Sequence, residues 1–252
     1  MIQQSLTRGI IPYSLTSQGG LYFSKYDTYK VAHFNVVTTA GNLTQTIGLS
    51  VKSGTHAFVD WGDGSALTDV SYVGLYQNYT HTYASAGTYN ARLINLANVT
   101  GLKCTTTFIT MSITTLTSLT YLYLLNTGTS ITGSIAGMAL TYLYLNGTST
   151  AVTGALSTSS RLTRFYYTGC DGTLVIPTTG LVFGASMTDI FISGNTTGQP
   201  SAVIDTILNA AAATTWAAPK TITASGNNGA HTSASASALT TLAGLGVTVT
   251  VN

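Results

Sequence analysis

Glutamate is absent from this 252-residue sequence, and seven aspartates with nine lysines and arginines bring the charged share to only 6%, against about 25% in an average soluble domain. Water must therefore be met by Thr, Ser, Asn and Gly. The basic residues form no cluster and the net charge is +2, so no stripe exists to neutralise a run of phosphates and nucleic-acid binding is not expected. No apolar run approaches the roughly 18 residues of a spanning helix, so membrane insertion is not expected either. The opening "MIQQSLTRGIIPYSL" has one Arg and lacks the apolar core and cleavage site of an export signal. With Met1 in place, the expectation is a chain not secreted by that route. The two cysteines, Cys104 and Cys170, form neither a CxxC pair nor a zinc spacing and read as buried thiols.

What is present is ample apolar material, 44% of residues, enough for a real core. Composition shifts near residue 100. Six of the nine Lys and Arg and four of the seven Asp precede residue 104, and the remainder is built from Thr, Ser, Leu, Gly and Ala. Two domains are expected. In the first, "HFNVVTT" (33–39), "TQTIGLSV" (44–51), "AFVDW" (57–61), "NYTHTY" (78–83) and "TYNARLINL" (88–96) alternate or run apolar between Gly, Asn and Ser clusters. Short strands at this spacing indicate a sandwich or barrel.

Two aspartates and a histidine stand close together in "FVDWGDGSALTDVSYVGLYQNYTHTYASAGTYNARL" (57–92). A hydrolytic reading needs Ser65 as nucleophile with His81 and Asp60, collected from one turn. A calcium reading needs Asp60, Asp63 and Asp69 as oxygen ligands, but the EF-hand spacing is missing. The turn reading needs only Asp63 and Gly64, the dipeptide that tight turns favour after a strand ending in Trp61. The pattern of Trp61, Gly62, Asp63 and Gly64 followed by His81, Tyr83, Gly87, Tyr89 and Leu93 resembles the PKD family of immunoglobulin-like domains, over about residues 42–96. It departs from that family in having Trp61 directly before Gly62. The resemblance implies a non-enzymatic spacer or adhesion module in which Trp61, Asp63, Gly64, His81 and Tyr89 are structural.

The second half carries an internal repeat. "LTYLYL" at 119–124 recurs at 140–145, and "ITG" at 131–133 recurs as "VTG" at 152–154 with the same shift. A period near 21 indicates a solenoid. The frame runs Leu119, Leu122, Leu124 with Thr127; Leu140, Leu143, Leu145 with Thr148; Leu162, Phe165, Tyr167 with Cys170; and Met187, Ile190, Ile192 with Asn195. This frame resembles leucine-rich repeats, which implies inward Leu and a capping Thr, Cys or Asn that bonds the backbone of each turn. "TITASGN" (221–227) and "VTVTV" (247–251) read as further rungs. Helical spacing appears over 200–216, with Pro200 and Ser201 as a start signal, and over 233–246, ending in Gly.

The expected fold is mainly β. An N-terminal arm (1–32) precedes an immunoglobulin-like, PKD-type β-sandwich (33–99), and a leucine-rich-repeat-like solenoid (100–252) follows, with two short helices near the C-terminus and a cap. Tyr121, Tyr123, Tyr142, Tyr144 and Tyr166 alternate with the Leu frame and so should face outward, as sheet stabilisers or as a ligand or partner surface. Arg161 and Arg164 with Asp171 and Asp189 read as a solvated set of charges. Such modules look like those of bacteriophage virion proteins, which implies a non-enzymatic capsid decoration, head-fibre or tail component localised to the virion. Its partners would be other virion proteins or itself as a homo-oligomer, and host-surface glycan or protein. The alternative is a secreted bacterial surface adhesin, extracellular or on the cell surface. No catalytic residue, cofactor or metal is expected in either.

Overall fold

The computed structural model describes residues 30–148, 152–158, 160–170 and 174–252, together with the backbone of an antiparallel strand pair, β1 (Ser14–Leu15) and β2 (Leu21–Tyr22). Apart from that pair and the first residues of β3, the arm expected over 1–32 lies outside the described residues. The antiparallel part comprises β3 (Val31–Thr38), β4 (Thr44–Val51), β5 (Ala57–Asp60), β6 (Thr68–Val70), β7 (Gln77–Thr82), β8 (Gly87–Ile94) and β9 (Val99–Cys104). Alternation decides these strands. In β3, Ala32, Phe34, Val36 and Thr38 are buried while the residues between them are exposed.

These strands divide between two sheets. One contains the order β3-β8-β5-β6 and the other β9-β4-β7. The pairs β4–β7 and β5–β8 are those of an immunoglobulin arrangement, but that arrangement sets the first of seven strands beside the second and the last beside the sixth. Here β3 lies beside β8 and β9 beside β4. The exchange leaves one free strand edge in each sheet for the chain to extend.

The extension is the repeat. β10 (Ile109–Ser112) pairs with β3, β11 (Tyr121–Gly128) with β9, and the chain then alternates between the sheets through β12 (Ile131–Ser134), β13 (Tyr142–Thr148), β14 (Val152–Ala155), β15 (Arg164–Thr168) and β16 (Leu174–Val175). β17 (Met187–Ser193), β18 (Trp216–Ala224) and β19 (Thr248–Val251) continue the nine-stranded sheet. Opposite them, α1 (Ser201–Ala212) and α2 (Ala236–Gly244) follow the eight strands of the second layer. The recurring "ITG" and "VTG" are thus the second strand of each coil, an assignment that sequence periodicity alone left open.

Coil length is set by what the second layer holds. Equivalent residues are 20, 21, 22 and 25 apart where the coil is made of strands and loop, and 32 apart where it contains α1. α1 buries Val203, Ile204, Ile207, Leu208 and Ala211 on one face. It stops at Ala212, short of the expected 216, because Trp216 enters β18 and its indole Nε1 donates to the Ala211 carbonyl at 3.0 Å. The turn before α2 is pinned by Asp205 of α1, which accepts from Thr232 N (2.8 Å), Thr232 Oγ1 and Ser235 Oγ (both 2.6 Å). Burial opposes ionisation of Asp205, but those hydrogen bonds outweigh it and hold the carboxyl below its usual range.

Each coil begins and ends in a fixed way. Thr120, Thr141, Thr163 and Thr188 each donate both backbone N–H and Oγ1 to the carbonyl of the equivalent threonine one coil earlier, starting from Thr100. At the far end of the strand a left-handed residue turns the chain: Asn126, Gly147, Gly169, Gly194 and Gly226, with φ from 54° to 81°. The caps follow, one residue on at Cys170 and Asn195 and two residues on at Asn228. Cys170 Sγ donates to Leu145 O, Asn195 Nδ2 to Tyr167 O and Asn228 Nδ2 to Ile192 O, each a carbonyl of the preceding coil. Thr127 is buried at the equivalent place with no partner for its hydroxyl, and the Thr148 side chain lies outside the described residues.

A single hydrophobic core runs through both parts, from Phe34, Leu49 and Trp61 to Leu122, Leu143, Phe165, Ile190 and Ile222. Leu143 is fully buried at its middle. Leu143→Ala is expected to cost about 2–5 kcal/mol, and because the sheets cross the boundary near residue 100, the loss should reach both ends. Thermal melts followed separately through Trp61 and Trp216, in single-tryptophan variants, should shift together. A drop seen by Trp216 with an unmoved Trp61 transition would show two independent folding units.

Candidate functional site

The Asp63–Gly64 turn is built from the strand end outward. Trp61 is buried, and its Nε1 donates to Thr68 Oγ1 at 2.8 Å. Gly62 follows with φ +78°, and a Cβ there would fall 2.4 Å from the Asn90 carbonyl oxygen, so only glycine fits. Gly64 has φ +82° with open space around it, so conformation alone selects it. Asp63 Oδ1 accepts from Ser65 N at 3.1 Å, and Asp63 Oδ2 from His81 Nε2 at 2.7 Å. The imidazole lies flat on Trp61, with centroids 5.1 Å apart, and edge-on to Tyr83 at 4.6 Å. Tyr83 donates its hydroxyl to the Trp61 carbonyl, and Tyr89, stacked on Tyr83 at 4.1 Å, donates to Ser85 O.

The other aspartates look elsewhere. Asp60 accepts from Gly62 N and pairs with Arg92; Asp69 pairs with His56 at 2.8 Å. The three carboxylates considered as calcium ligands are thus turned to three different side chains, Arg92, His81 and His56. Among the described residues no three His, Cys or Asp side chains gather into a metal set. Cys104 is buried, which pushes its thiol up to about 11 and keeps it neutral.

The outer face of the nine-stranded sheet carries two columns of side chains. In one, Tyr76, Tyr121 and Tyr142 stack at 5.4 and 4.4 Å, and the Arg164 guanidinium lies 5.6 Å from the Tyr142 centroid. In the other, Tyr123, Tyr144, Tyr166 and Phe191 stack at 4.3, 4.7 and 4.7 Å with interplanar angles of 11–26°. Lys103 covers the open end, over both Tyr76 and Tyr123. The rung spacing of a sheet, about 4.8 Å, falls within the centroid separation of offset aromatic pairs, about 4.5–7 Å, so rings in register meet face toward face.

The chain matches no protein-family model, no curated protein and no solved structure.

The five tyrosines do share one face, but they do not lie as a flat platform. Their faces are used against one another. Tyr121 is buried, because the 71–76 loop crosses the sheet above it. Glycine allows that crossing: a Cβ on Gly101 would sit 2.3 Å from Leu75 O, at the position where later coils carry Tyr121, Tyr142 and Arg164. The loop leaves Tyr72, Val73 and Leu75 exposed beside the columns. Lys103, Tyr76 and Phe191 belong to the face and were not singled out from sequence, and Arg164, named there only among the charges, belongs to it too. Phe191 and Lys103 had a signal, since both alternate with inward residues of the same frame.

The expectation of a solvated charge set is corrected by Asp189. It is buried, 2.9 Å from Arg164 Nε, and accepts from Thr188 Oγ1 and Thr221 Oγ1. Arg161 instead donates to the carbonyls of Thr158 and Ser160, and Asp171 lies outside the described residues. Burial, then the Asp189 charge, pushes the Tyr166 phenol up to about 12, so it stays a neutral donor.

Two outcomes follow. Burial works against ionisation of Asp63, but the hydrogen bonds from Ser65 and His81 outweigh it and hold the carboxyl down at about 2. The unfolded value is about 3.9, so the stabilisation is complete above about pH 4 and is lost as pH falls toward 2. Melting temperature against pH should fall in that window, and Asp63→Asn should flatten this part of the curve. At the second site, Arg164→Ala strands a buried carboxylate and is expected to cost about 3–5 kcal/mol in urea unfolding. Arg164→Ala combined with Asp189→Ala should recover part of that loss.

Proposed function

We propose that this chain is a non-enzymatic structural and recognition module of a bacteriophage particle: a capsid decoration, head-fibre or tail component made of a PKD-type sandwich, with its outer strands exchanged, and a leucine-rich-repeat-like solenoid. The observation that carries the non-enzymatic reading is the use of every described carboxylate as a brace. Asp60, Asp63, Asp69 and Asp189 pair with Arg92, His81, His56 and Arg164, and Asp205 holds the start of α2. General acid–base chemistry needs a titrating group held free beside a reacting atom, and a carboxylate committed to a turn is a poor candidate. A rod with one core and a hydroxyl-rich, nearly uncharged surface suits display on a particle. The partners are other virion proteins, further copies of this chain, or a glycan or protein of the host surface.

The aromatic face is the proposed contact region. Its phenol hydroxyls and ring edges, with Lys103 at one end, suit a polar, uncharged partner surface that accepts and donates hydrogen bonds. The same face supports the rival reading of a bacterial surface adhesin. Probing gradient-purified virions and cell envelopes with an antibody to the chain separates the two. Copies in the particle support the virion reading, and presence only in envelopes supports the adhesin. Tyr123→Ser with Tyr144→Ser should weaken attachment to particle partners or host cells while costing about 1–2 kcal/mol of stability from lost cross-strand pairs. Unchanged attachment by the folded double variant would leave the rings as sheet stabilisers alone.

A further inference from the structure

The edges of the two sheets are unequal. β6 is three residues long and carries Asp69; β16 is two residues long. Shortness and charge are the usual protections of a strand edge against pairing with another chain. β19 has four residues. β7, six residues with the sequence Gln77-Asn78-Tyr79-Thr80-His81-Thr82, bonds to β4 on one side and, among the described residues, ends the nine-stranded sheet on the other. It contains no Lys, Arg, Asp or Pro, and its histidine, His81, is spent on Asp63. The register with β4 is unbroken from Thr44↔Thr82 to Leu49↔Gln77, so no bulge turns the edge away. In the immunoglobulin arrangement the fourth strand covers this edge; here that strand, β6, pairs with β5 instead.

We propose that β7 is a self-association edge, through which two copies of this chain join antiparallel about a two-fold axis and continue the nine-stranded sheet from one copy into the other. In an antiparallel ladder alternate residues of an edge strand direct N–H and C=O outward, and a second β7 presents the same groups in the opposite sense. An isologous contact must be self-complementary. A strand without Lys, Arg or Asp meets that condition without their like-charge repulsion. Its outward side chains meet it too. Thr80 and Thr82 already share hydroxyl hydrogen bonds of 2.9 Å with Thr46 and Thr44 across β4, and a second copy offers the same threonines on the other side. No Lys, Arg or Asp on β7 selects a partner of opposite sign, so the strand chemistry that fits best is its own. The exposed Tyr72, Val73 and Leu75 lie at the start of β7 and would add apolar area at both ends of the joined strands.

The inference deepens the homo-oligomer part of the proposed function without depending on the particle. Light scattering coupled to size exclusion, over a concentration series of the full chain, should give a dimer that dissociates on dilution, with β7 amides protected from hydrogen exchange only in the dimer. Thr80→Lys sets a charge near its own copy at the middle of the strand and should raise the dimer dissociation constant roughly tenfold or more. Asn78→Lys is a second variant with the same expectation, and circular dichroism verifies that each is folded. Thr110→Lys, on the outer face of the other sheet, should leave the dimer intact. A chain that stays monomeric at every concentration overturns the proposal, whether β7 is then bare or covered by another segment. So does a dimer that both lysine variants leave unchanged. Failure to find the chain in virions would overturn the particle reading and leave this one standing.

Discussion

Lateral hydrogen bonding between neighbouring coils is the constraint on which the rest depends. A coil of about 20 residues cannot bury its own apolar side chains or satisfy its own strand edges; it acquires both by lying against the coil before it. The first coil therefore needs a template. The exchanged strands β3 and β9 supply it, each offering an edge in a different sheet, and the antiparallel part thereby acts as the cap of the solenoid. The price of removing either would be exposed edges on the other.

Register then determines the side chains. Because equivalent residues are stacked at the rung spacing, any residue type repeated in the frame forms a column. Leucines make the core column, threonines a column of doubled hydrogen bonds at the strand starts, and left-handed residues a column at the strand ends. Tyrosines make columns of stacked rings. Stacking of this kind stabilises the sheet and at the same time turns the ring faces toward one another.

Scarcity of charge gives the few charged groups individual importance. Asp63, Asp189 and Asp205 each sit at a junction: a turn against a strand, one rung against the next, and one helix against the next. Every described aspartate is committed to a contact of this kind.

Periodicity in the sequence determined the strands of the antiparallel part, the inward Leu frame, the caps Cys170 and Asn195, and the common face of the tyrosines, because each of these follows from local alternation and a fixed repeat. The turn at Asp63 was legible too, since Asp63 and Gly64 are the dipeptide that tight turns favour. Strand partners were not legible. Which strand lies beside β4 or β8 depends on contacts between residues about 50 apart in the chain, such as Ser50 with Thr100, and alternation is the same for either choice. Nor could the sequence reveal that "ITG" and "VTG" form a second sheet, since runs so short carry no period of their own. The burial of Tyr121 under Leu75 and Tyr76 and of Asp189 beneath Arg164 were likewise decided only in the tertiary structure. Local pattern assigns a side chain to a face, and only the path of distant segments decides what covers that face.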